Sequence, residues 1–495
     1  MPKSKGHSLL PNCSHRAKTS DCRCSRATYK LFDYSLEHLN ESVVWTHRGC
    51  VCNELVALRE RHQLDTGARY SAPFNAVSVN VDELVMANAG RFPELKRNAF
   101  SVVISHYSGG KRAEYERARE SLLIDPLVER DSRLRMFLKD DKYHTWDFKA
   151  PRCIQFRSKR YGLTLSSYLQ PIEEFTYELR DTTDSHVFAK SRNLDDRAAD
   201  LRLKWDSFID PIAYCLDHSK FDCHVNVDLL KQEHRYYRKF YPRDAGLRKL
   251  LSQQINNRGS TKNGTTYKTC GTRMSGDPNT GLGNSILNYG MLREAFKKVR
   301  AAYYIDGDDS VVIIESADQV NVNVGCFERF GMKTKVEVAT IFEHTEFCQC
   351  RPVYDGLKWH LVRNPYRTLA RLPWIVKKNH LSCKARYIKS VGLCELALNM
   401  GIPVLQQIAS LMVERGEGKY IKTDRHFMAK RATIKPWHAR KVPIREVTRE
   451  SFEIAWGISR EEQLELENVT LSLPHGDAES LFYTHLAPGV THCEC

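Results

Sequence analysis

The sequence has no long hydrophobic run. None of its stretches approaches the roughly 20 consecutive apolar residues that a membrane-spanning helix needs, and its mean hydropathy is −0.49. The N-terminal segment MPKSKGHSLLPNCSHRAK has no apolar stretch after its first charges, so we expect no secretory signal. The sequence also lacks repeats and low-complexity tracts, which excludes collagen-like, coiled-coil and wholly disordered chains. These absences predict a soluble intracellular protein.

Acidic residues are too few to balance the basic ones. The chain has 495 residues, of which 75 are Lys or Arg and 60 are Asp or Glu, so the formal net charge is +15. Such an excess favours a polyanionic partner such as nucleic acid, although charge that merely keeps a protein soluble would look the same. With 42% apolar residues the chain can fill a core, and its length predicts two to four packed subdomains.

Cysteine is plentiful, but its spacing does not favour zinc. The sequence has 16 cysteines, and without a secretory signal we expect reduced thiols rather than a disulfide framework. Structural zinc sites usually show paired Cys-x2-Cys or His-x3-His spacing. Metal binding is therefore not the favoured interpretation of the two terminal groups, which are Cys13, His15, Cys22 and Cys24, and His492, Cys493 and Cys495.

The clearest local signal is an acidic hairpin. Two β-rich runs, RAAYYI and SVVIIE, flank Asp306-Gly307-Asp308-Asp309, and Asp-Gly between such runs is the strongest short-range hairpin signature. Carboxylates crowded beside a buried sheet repel one another, and a divalent cation relieves that repulsion. A few hard oxygen ligands suit Mg²⁺, which completes its shell with waters and substrate phosphates. An acidic surface turn would carry the same residues, so other motifs must decide.

Two further motifs precede the hairpin. Asp217 and Asp222 lie five residues apart at the end of an apolar run, and a turn after Asp217 would let it face a metal and Asp222 face a sugar. Downstream lies 275-SGDPNTGLGNSILN-288, a loop that leads into a helix with Thr280 and Asn284 on one face. A loop that feeds a helix start is a general phosphate-binding device.

The order of these motifs resembles a known family. Asp-x4-Asp, S-G-x3-T-x3-N and G-D-D are similar to the palm motifs of viral RNA-dependent RNA polymerases, and the chain looks most like the tombusvirus-like enzymes of positive-strand RNA viruses. Several collinear stretches carry a resemblance that one motif could not support. They are 107-YSGGKRAEYERARESLL-123, 137-FLKDDK-142, 149-KAPRCIQFRSKRY-161, 205-WDSFIDPIAYCLDHSKFDCHV-225, 273-RMSGDPNTGLGN-284, 306-DGDDSVV-312, 331-GMKTKVE-337 and 346-EFCQCRPV-353.

The resemblance implies an α+β fold of the right-hand polymerase type, with fingers, palm and thumb and an antiparallel palm sheet. The domains expected from it are an N-terminal extension at 1–60 (a loosely ordered tail at 1–27, then a bridge between fingers and thumb), fingers at 61–200 with a basic strand, a palm at 201–355 with an inserted finger segment at about 231–270, and a helical, basic thumb at 356–495.

Periodicity adds two local expectations. The helical spacing of apolar residues from about 80 to 150 predicts helices throughout that region. The spacing of Cys348 and Cys350 is interpreted as the alternation of one β-strand rather than as metal binding.

The resemblance also implies roles for single residues. Asp217 and Asp308 would be the principal ligands of two Mg²⁺ ions, with Asp309 assisting and Mn²⁺ as a substitute. Lys335 is similar to the lysine proposed to protonate pyrophosphate, and Lys333 is the alternative. The nucleotide-binding candidates are Arg152, Arg157, Lys159 and Arg160 for the triphosphate, and Asp222, Ser275, Gly276, Thr280 and Asn284 for the sugar and the loop. A solvated basic loop is the alternative interpretation of the first four, and the context does not favour it.

Three other functions can be weighed against this one. A reverse transcriptase shares the palm, but it carries an aromatic residue five positions after the first aspartate, where this chain has Asp222. A non-catalytic basic RNA-binding protein would explain the charge but not the ordered carboxylates. A helicase is not expected, because 109-GGKR-112 lacks the upstream glycine and the hydroxyl residue of a phosphate-binding loop.

The implied activity is template-directed RNA synthesis from ribonucleoside triphosphates. Its partners would be an RNA template, the nascent RNA and an auxiliary viral replication protein. Because we expect no transmembrane segment in the chain, that auxiliary protein, or a segment absent from this chain, would recruit it to membrane-associated replication complexes in the host cytoplasm.

Overall fold

Helices and short strands alternate along the chain in the computed structural model, which describes residues 8–17, 24–67, 69–144, 149–473 and 478–479. The strands are β1 (Ser14–Arg16), β2 (Ser25–Arg26), β3 (Tyr29–Lys30), β4 (Asp33–Tyr34), β5 (Val44–His47), β6 (Leu134–Leu138), β7 (Tyr143–His144), β8 (Cys153–Phe156), β9 (Pro211–His218), β10 (Asn256–Thr261), β11 (Thr266–Cys270), β12 (Ala301–Asp306), β13 (Asp309–Glu315), β14 (Thr334–Ala339), β15 (Cys350–Tyr354), β16 (Trp359–Arg363), β17 (Trp374–Ile375), β18 (Leu471–Ser472) and β19 (Ala478–Glu479).

The α-helices are α1 (Val51–Leu58), α2 (Ala76–Ala89), α3 (Phe100–Ser105), α4 (Gly109–Ile124), α5 (Lys159–Tyr177), α6 (Leu194–Trp205), α7 (Phe221–His224), α8 (Val227–Phe240), α9 (Ala245–Ser252), α10 (Thr280–Ala295), α11 (Pro365–Arg371), α12 (Lys384–Leu398), α13 (Leu405–Arg415), α14 (His426–Ala429), α15 (Glu446–Trp456) and α16 (Arg460–Glu467). The structure is thus a mixture of helix and sheet, as expected.

The central sheet is antiparallel and has the order β12-β13-β9-β14. Both of its faces are covered, because alternate residues of β12 enter two different cores. Tyr303 and Ile305 pack into the larger core, whereas Ala302 and Tyr304 pack into a second one. This period of two is the geometry of a strand buried on both sides. The hairpin and the antiparallel sheet predicted around Asp308 are therefore confirmed.

Helix α10 lies against this sheet and is buried on most of its surface. It packs closely on α2, where a Cβ at Gly290 would lie 2.5 Å from Val77 Cγ1. Only glycine permits this close approach of the two helices.

A second sheet, of order β1-β11-β10-β6-β8, carries the basic region around Arg152. Its β10–β6 pair is parallel and the other pairs are antiparallel. A small core of Leu134, Met136, Cys153, Tyr267 and Met274 lies beneath it, together with part of α1. The prediction of helices throughout 80–150 is wrong at β6 and β7, because residues of β6 alternate between this core and solvent.

The N-terminal region is ordered where the structure describes it. Ser14 pairs with Lys268 of the second sheet, and β2 pairs with β5. The expectation of a loosely ordered tail at 1–27 is therefore wrong for 8–17 and 24–27, because an edge strand needs no apolar residues when a neighbour satisfies its backbone. Further along, Tyr29 pairs with Ile375 and Tyr34 with Leu471.

The C-terminal region is mainly helical, and its core also takes in the N-terminal residues Leu31, Phe32 and Tyr34. The N-terminal segment thus joins the second sheet to the C-terminal helices, while the domain boundaries themselves stay predictions. The expectation of helix from 356 onward is wrong at β16, which completes a hairpin with β15.

Cys348 does not belong to the expected strand. Cys348 and Gln349 have φ angles of 53° and 61°, so they form a left-handed turn, and the strand begins only at Cys350. In the described part of the chain, no helix is long and apolar enough to cross a membrane.

Candidate active site

The predicted acidic residues meet at one edge of the central sheet. Gly307 and Asp308 form the turn between β12 and β13, and Gly307 takes the φ of +74° that such a turn requires. Asp309 stands opposite both Asp306 and Asp217 in the ladder. The register therefore places Asp217 beside the hairpin, although more than 80 residues separate them in sequence.

The turn is held from behind by α10. The Gly307 N–H donates to Ser285 Oγ at 2.9 Å, and Asn288 Nδ2 donates to the carbonyls of Gly307 at 3.1 Å and Asp308 at 3.2 Å. Asn288 Oδ1 faces His218 Nε2 at 3.1 Å. Sequence reasoning missed these positioning residues, because nothing in the motif shows that the turn needs support from the helix.

The carboxylates of the turn make one another harder to ionise. Burial and the charges of Asp222 and Asp217 raise the pKa of Asp308 to about 6. Burial and the charge of Asp308 raise the pKa of Asp309 to about 7. Asp308 reaches solvent, but it does so within a cleft whose walls exclude much of the water. The turn therefore stores unfavourable negative charge that a cation would relieve.

Asp306 differs from its neighbours because it is neutralised within the protein. It pairs with Lys190, and with Arg197 at 2.8 Å. Burial raises the pKa of Asp306, but these two cations outweigh it and lower the pKa to about 2. Of the acidic residues in the motif, Asp308 and Asp309 are therefore the ones left to bind a ligand.

Asp222 and Asn284, which the resemblance assigned to the sugar and the loop, are hydrogen-bonded to each other. Asn284 Nδ2 donates to Asp222 Oδ1 at 2.9 Å, and Arg273 Nε donates to Asn284 Oδ1 at 2.8 Å. Arg273 is itself buried against Glu233. The amide is thus fixed on both sides, and burial raises the pKa of Asp222.

A cleft of about 470 Å³ opens in front of these residues. Its lining includes the carboxylates of Asp217, Asp222 and Asp308. Four cations also line it, namely Arg61, Lys139, Arg152 and Lys220, together with the polar residues Ser275, Thr280 and Asn284. Arg152 pairs with Asp141 at 2.6 Å. A cleft lined by both carboxylates and cations suits a ligand that carries both a metal and phosphates.

Three of the predicted triphosphate residues lie elsewhere. Arg157 is buried and pairs with Asp277 at 2.9 Å, and Arg160 pairs with Asp131 at 3.2 Å. Lys159 pairs with Glu114 at 3.3 Å. Of the basic run, Arg152 alone is among the residues lining the cleft. Arg61 and Lys139 also line the cleft, and sequence reasoning did not single them out because they lie outside the basic run.

The loop before α10 is pressed against β8. Gly276 N–H donates to the Gln155 carbonyl at 2.8 Å, and a Cβ at Gly276 would lie 2.4 Å from that oxygen. Ser275 Oγ donates to the Cys153 carbonyl, and Thr280 Oγ donates to the Met274 carbonyl at 2.9 Å. Glycine is therefore required for packing here, and Ser275 and Thr280 shape the loop as well as line the cleft.

Lys335 lies directly opposite Asp217 in the β14–β9 ladder and is exposed. Lys333 is also exposed but precedes β14. Opposite residues of an antiparallel pair point to the same side of the sheet. The geometry therefore favours Lys335 over Lys333 as a group that can reach the vicinity of the carboxylates.

The donor set fits Mg²⁺. Asp217 and Asp308 are carboxylates that line one cleft, and burial together with neighbouring negative charge raises the pKa of Asp308. Over the described residues, no three His, Cys, Asp or Glu side chains form a ready metal cluster. That arrangement is compatible with Mg²⁺, which takes one or two carboxylates and fills its shell with water and phosphate. Of the terminal residues considered as zinc ligands, His15 is hydrogen-bonded to Gln63. The residues outside the described part of the chain are Cys22, His492, Cys493 and Cys495.

Comparison with known proteins decides the family. Residues 15–474 match the family model described as Viral RNA dependent RNA polymerase. The chain belongs to this family. The resemblance drawn from the motifs is thus confirmed, and the reverse transcriptase and non-catalytic alternatives are not favoured.

Individual relatives of the polymerase family agree. The RNA-directed RNA polymerase of Tobacco necrosis virus (strain A) is 34% identical over 389 residues, which is 74% of this chain and 52% of that protein. The RNA-directed RNA polymerase of Melon necrotic spot virus is 34% identical over 74% of this chain and 48% of that protein. The one from Tomato bushy stunt virus (strain Cherry) is 34% identical over 75% of this chain and 47% of that protein. The chain thus spans about half the length of the curated relatives it matches.

Proposed function

We propose that this protein is an RNA-directed RNA polymerase that copies a positive-strand RNA virus genome from ribonucleoside triphosphates. The observation that carries the proposal is the cleft itself. Asp217 and Asp308 line it together with the hydrogen-bonded Asp222–Asn284 pair, and Arg152 lines the same cleft. The names of the relatives support the same activity.

The proposed metal ligands are Asp217 and Asp308, with Asp309 assisting. Two Mg²⁺ ions, with Mn²⁺ as a substitute, would activate the 3′-hydroxyl of the growing strand and neutralise the leaving pyrophosphate. The protein contributes the position of the carboxylates. Asn288 and Ser285 hold the turn from α10, so Asp308 projects into the cleft without needing its own hydrogen bonds to fix it.

The incoming nucleotide would lie in this cleft. Arg152 is suited to a triphosphate because its guanidinium can bond two phosphate oxygens at once, and it would exchange Asp141 for the substrate. Arg61 and Lys139 line the same cleft and add positive charge to it. Lys335 would protonate the departing pyrophosphate from the neighbouring strand.

Sugar selection would depend on Asp222 and Asn284. The Asp222 carboxylate can accept a hydrogen bond from a ribose 2′-hydroxyl, directly or through Asn284, whereas a deoxyribose leaves that group unpaired. Arg273 fixes the amide so that its Nδ2 faces Asp222. Ser275, Gly276 and Thr280 would shape the loop beside the sugar.

The larger arrangement is part of the proposal. We assign the central sheet to the palm of a right hand, the second sheet to fingers, and the C-terminal helices to a thumb. An auxiliary viral protein would bring the chain to membrane-associated replication complexes in the host cytoplasm. Tight binding of the purified chain to neutral vesicles, measured by flotation, would contradict that recruitment.

The direct test is incorporation of labelled ribonucleotides by the purified chain on an RNA template. We expect template-dependent product that requires Mg²⁺ or Mn²⁺, and Asp308→Asn should reduce it to background. A matched control is Asp184→Asn, which makes the same change at a side chain that is 93% exposed and far from the motif in sequence. Asparagine tolerates the positive φ of that position.

Two results would overturn the proposal. Equal product from the wild-type chain and Asp308→Asn would indicate a contaminating polymerase. Absence of product across several templates, with either metal, would argue against catalysis by this chain.

A further inference from the structure

A second cavity, of about 470 Å³, lies between α2, α8 and α9 and shares no lining residue with the catalytic cleft. Phe74, Leu251 and Ile255 form an apolar part of its wall. Phe74 is unusual because 62% of this large apolar side chain is exposed. We call this cavity the α8 groove.

The rim of the α8 groove carries four cations. Lys231, Arg235 and Arg238 are spaced i, i+4 and i+7 on α8, so they form one exposed row about 10 Å long. Arg248 adds a fourth charge from α9. No ion pair involves any of the four within the described residues, whereas Arg152 of the cleft has an acidic partner. An uncompensated row of this kind attracts a polyanion.

His234 provides an independent sign of a ligand. It lines the groove, and its exposed fraction is 7%. Its ring interacts with the side chain of Gln254, but its Nε2 has no hydrogen-bond partner of good geometry among the described residues. Burial lowers the pKa of His234 to about 4, so the ring is neutral at pH 7. A buried polar atom without a partner costs free energy, and buried polar atoms in native proteins are nearly always bonded to something.

We propose that the α8 groove binds single-stranded RNA, with the cations on its phosphates and Phe74 stacked on a base. The charges are spread over two helical turns rather than converging on one point, which suits a chain of singly charged phosphates better than a compact polyphosphate. An exposed aromatic beside a basic row is the usual combination for single strands. This surface is outside the cleft, so the inference holds whether or not the chain polymerises nucleotides.

Photocrosslinking of the full chain to a labelled 20-nucleotide oligouridylate, without nucleoside triphosphates, tests the proposal. Mass spectrometry should find a crosslink in the peptide that contains Phe74. In Arg235→Gln/Arg238→Gln the yield of this crosslink should fall severalfold, while crosslinks to the catalytic cleft persist. Arg235→Lys/Arg238→Lys should restore it, because the charges return.

The matched control is Lys297→Gln/Lys298→Gln, which removes two exposed cations outside the groove. Because Arg235→Gln/Arg238→Gln loses two phosphate contacts, the slope of log affinity against log salt for the groove should also become shallower by about 1.4 in that variant. The slope should stay unchanged in the control variant. Thermal unfolding, measured for each variant, checks that the variant is folded.

Three results would overturn the proposal. The first is the absence of an RNA crosslink at Phe74. The second is an equal crosslink yield in the wild type and in Arg235→Gln/Arg238→Gln. The third is labelling of the Phe74 peptide by a photoreactive ATP but not by RNA. The last would assign the groove to a nucleotide. If the wild-type chain formed the Phe74 crosslink but synthesised no RNA, the result would refute only the proposed function and not the RNA-binding groove.

Discussion

Replacing Asn288 with alanine should damage catalysis without touching a catalytic group. The side chain is fully buried, and it donates to two carbonyls of the acidic turn and faces His218 Nε2. The variant removes all three contacts. At about 1–3 kcal/mol for each buried group that loses its partner, and with part of the loss recovered by relaxation and by solvent at the partly buried Asp308 carbonyl, we expect the free energy of unfolding to fall by about 2–5 kcal/mol.

The effect on activity should exceed the effect expected of destabilisation alone. With its support gone, the turn can shift, and displacements of about 1 Å in a reacting geometry cost about a hundredfold in rate. We therefore expect kcat to fall by about 10- to 100-fold at a temperature where the variant is still folded. Single-nucleotide incorporation kinetics and thermal unfolding, measured on the same preparation, separate the two effects.

Asn399 supplies the control. It is also buried, and its Nδ2 donates to the Glu395 carbonyl at 2.7 Å among the C-terminal helices. Asn399→Ala should lower the melting temperature but leave kcat nearly unchanged. If Asn288→Ala lost no more kcat than Asn399→Ala, the inferred support of the turn by α10 would be refuted.

Three other predictions follow from the cleft. Arg152→Ala should raise the apparent KM for nucleotides by about 10- to 150-fold, since a charge-assisted contact is worth about 1.5–3 kcal/mol, and leave the Mg²⁺ requirement unchanged; wild-type nucleotide kinetics would reject its role. Asp222→Ala or Asn284→Ala should narrow the preference for ribo- over deoxynucleotides by about 10- to 100-fold, measured as the ratio of kcat/KM values, and unaltered ratios in both would contradict sugar reading. The pKa values of Asp308 and Asp309 are raised to about 6 and 7, so protons compete with Mg²⁺ below pH 7 and the half-saturating Mg²⁺ concentration should rise as pH falls from 8 to 6. A flat Mg²⁺ requirement over that range would show that these carboxyls are not the ligands.

Local sequence determined the hairpin and the residues at its tip. Asp-Gly between two β-rich runs permits few other structures, because the turn needs a positive φ at Gly307 and the strands need a buried partner on each side. The spacing of Thr280 and Asn284 likewise placed them on one helix face. The meeting of Asn284 with Asp222 was predictable only because the motif order resembled a known family.

Only the tertiary structure decided which basic residues enter the cleft. Arg152, Arg157 and Arg160 are alike in sequence, but Arg157 and Arg160 are held by Asp277 and Asp131. Local patterns carry no information about such distant partners, since an arginine pairs with whichever carboxylate the fold brings near it.

The same limit applies to the terminal segments and to the groups behind the turn. The strands at 14–16 and 25–26 form because an edge in another part of the fold offers backbone partners. Asn288 supports the turn because α10 packs against the sheet at that point. Short-range propensity and spacing determined the elements that carry the chemistry, whereas long-range packing determined which side chains are free to perform it.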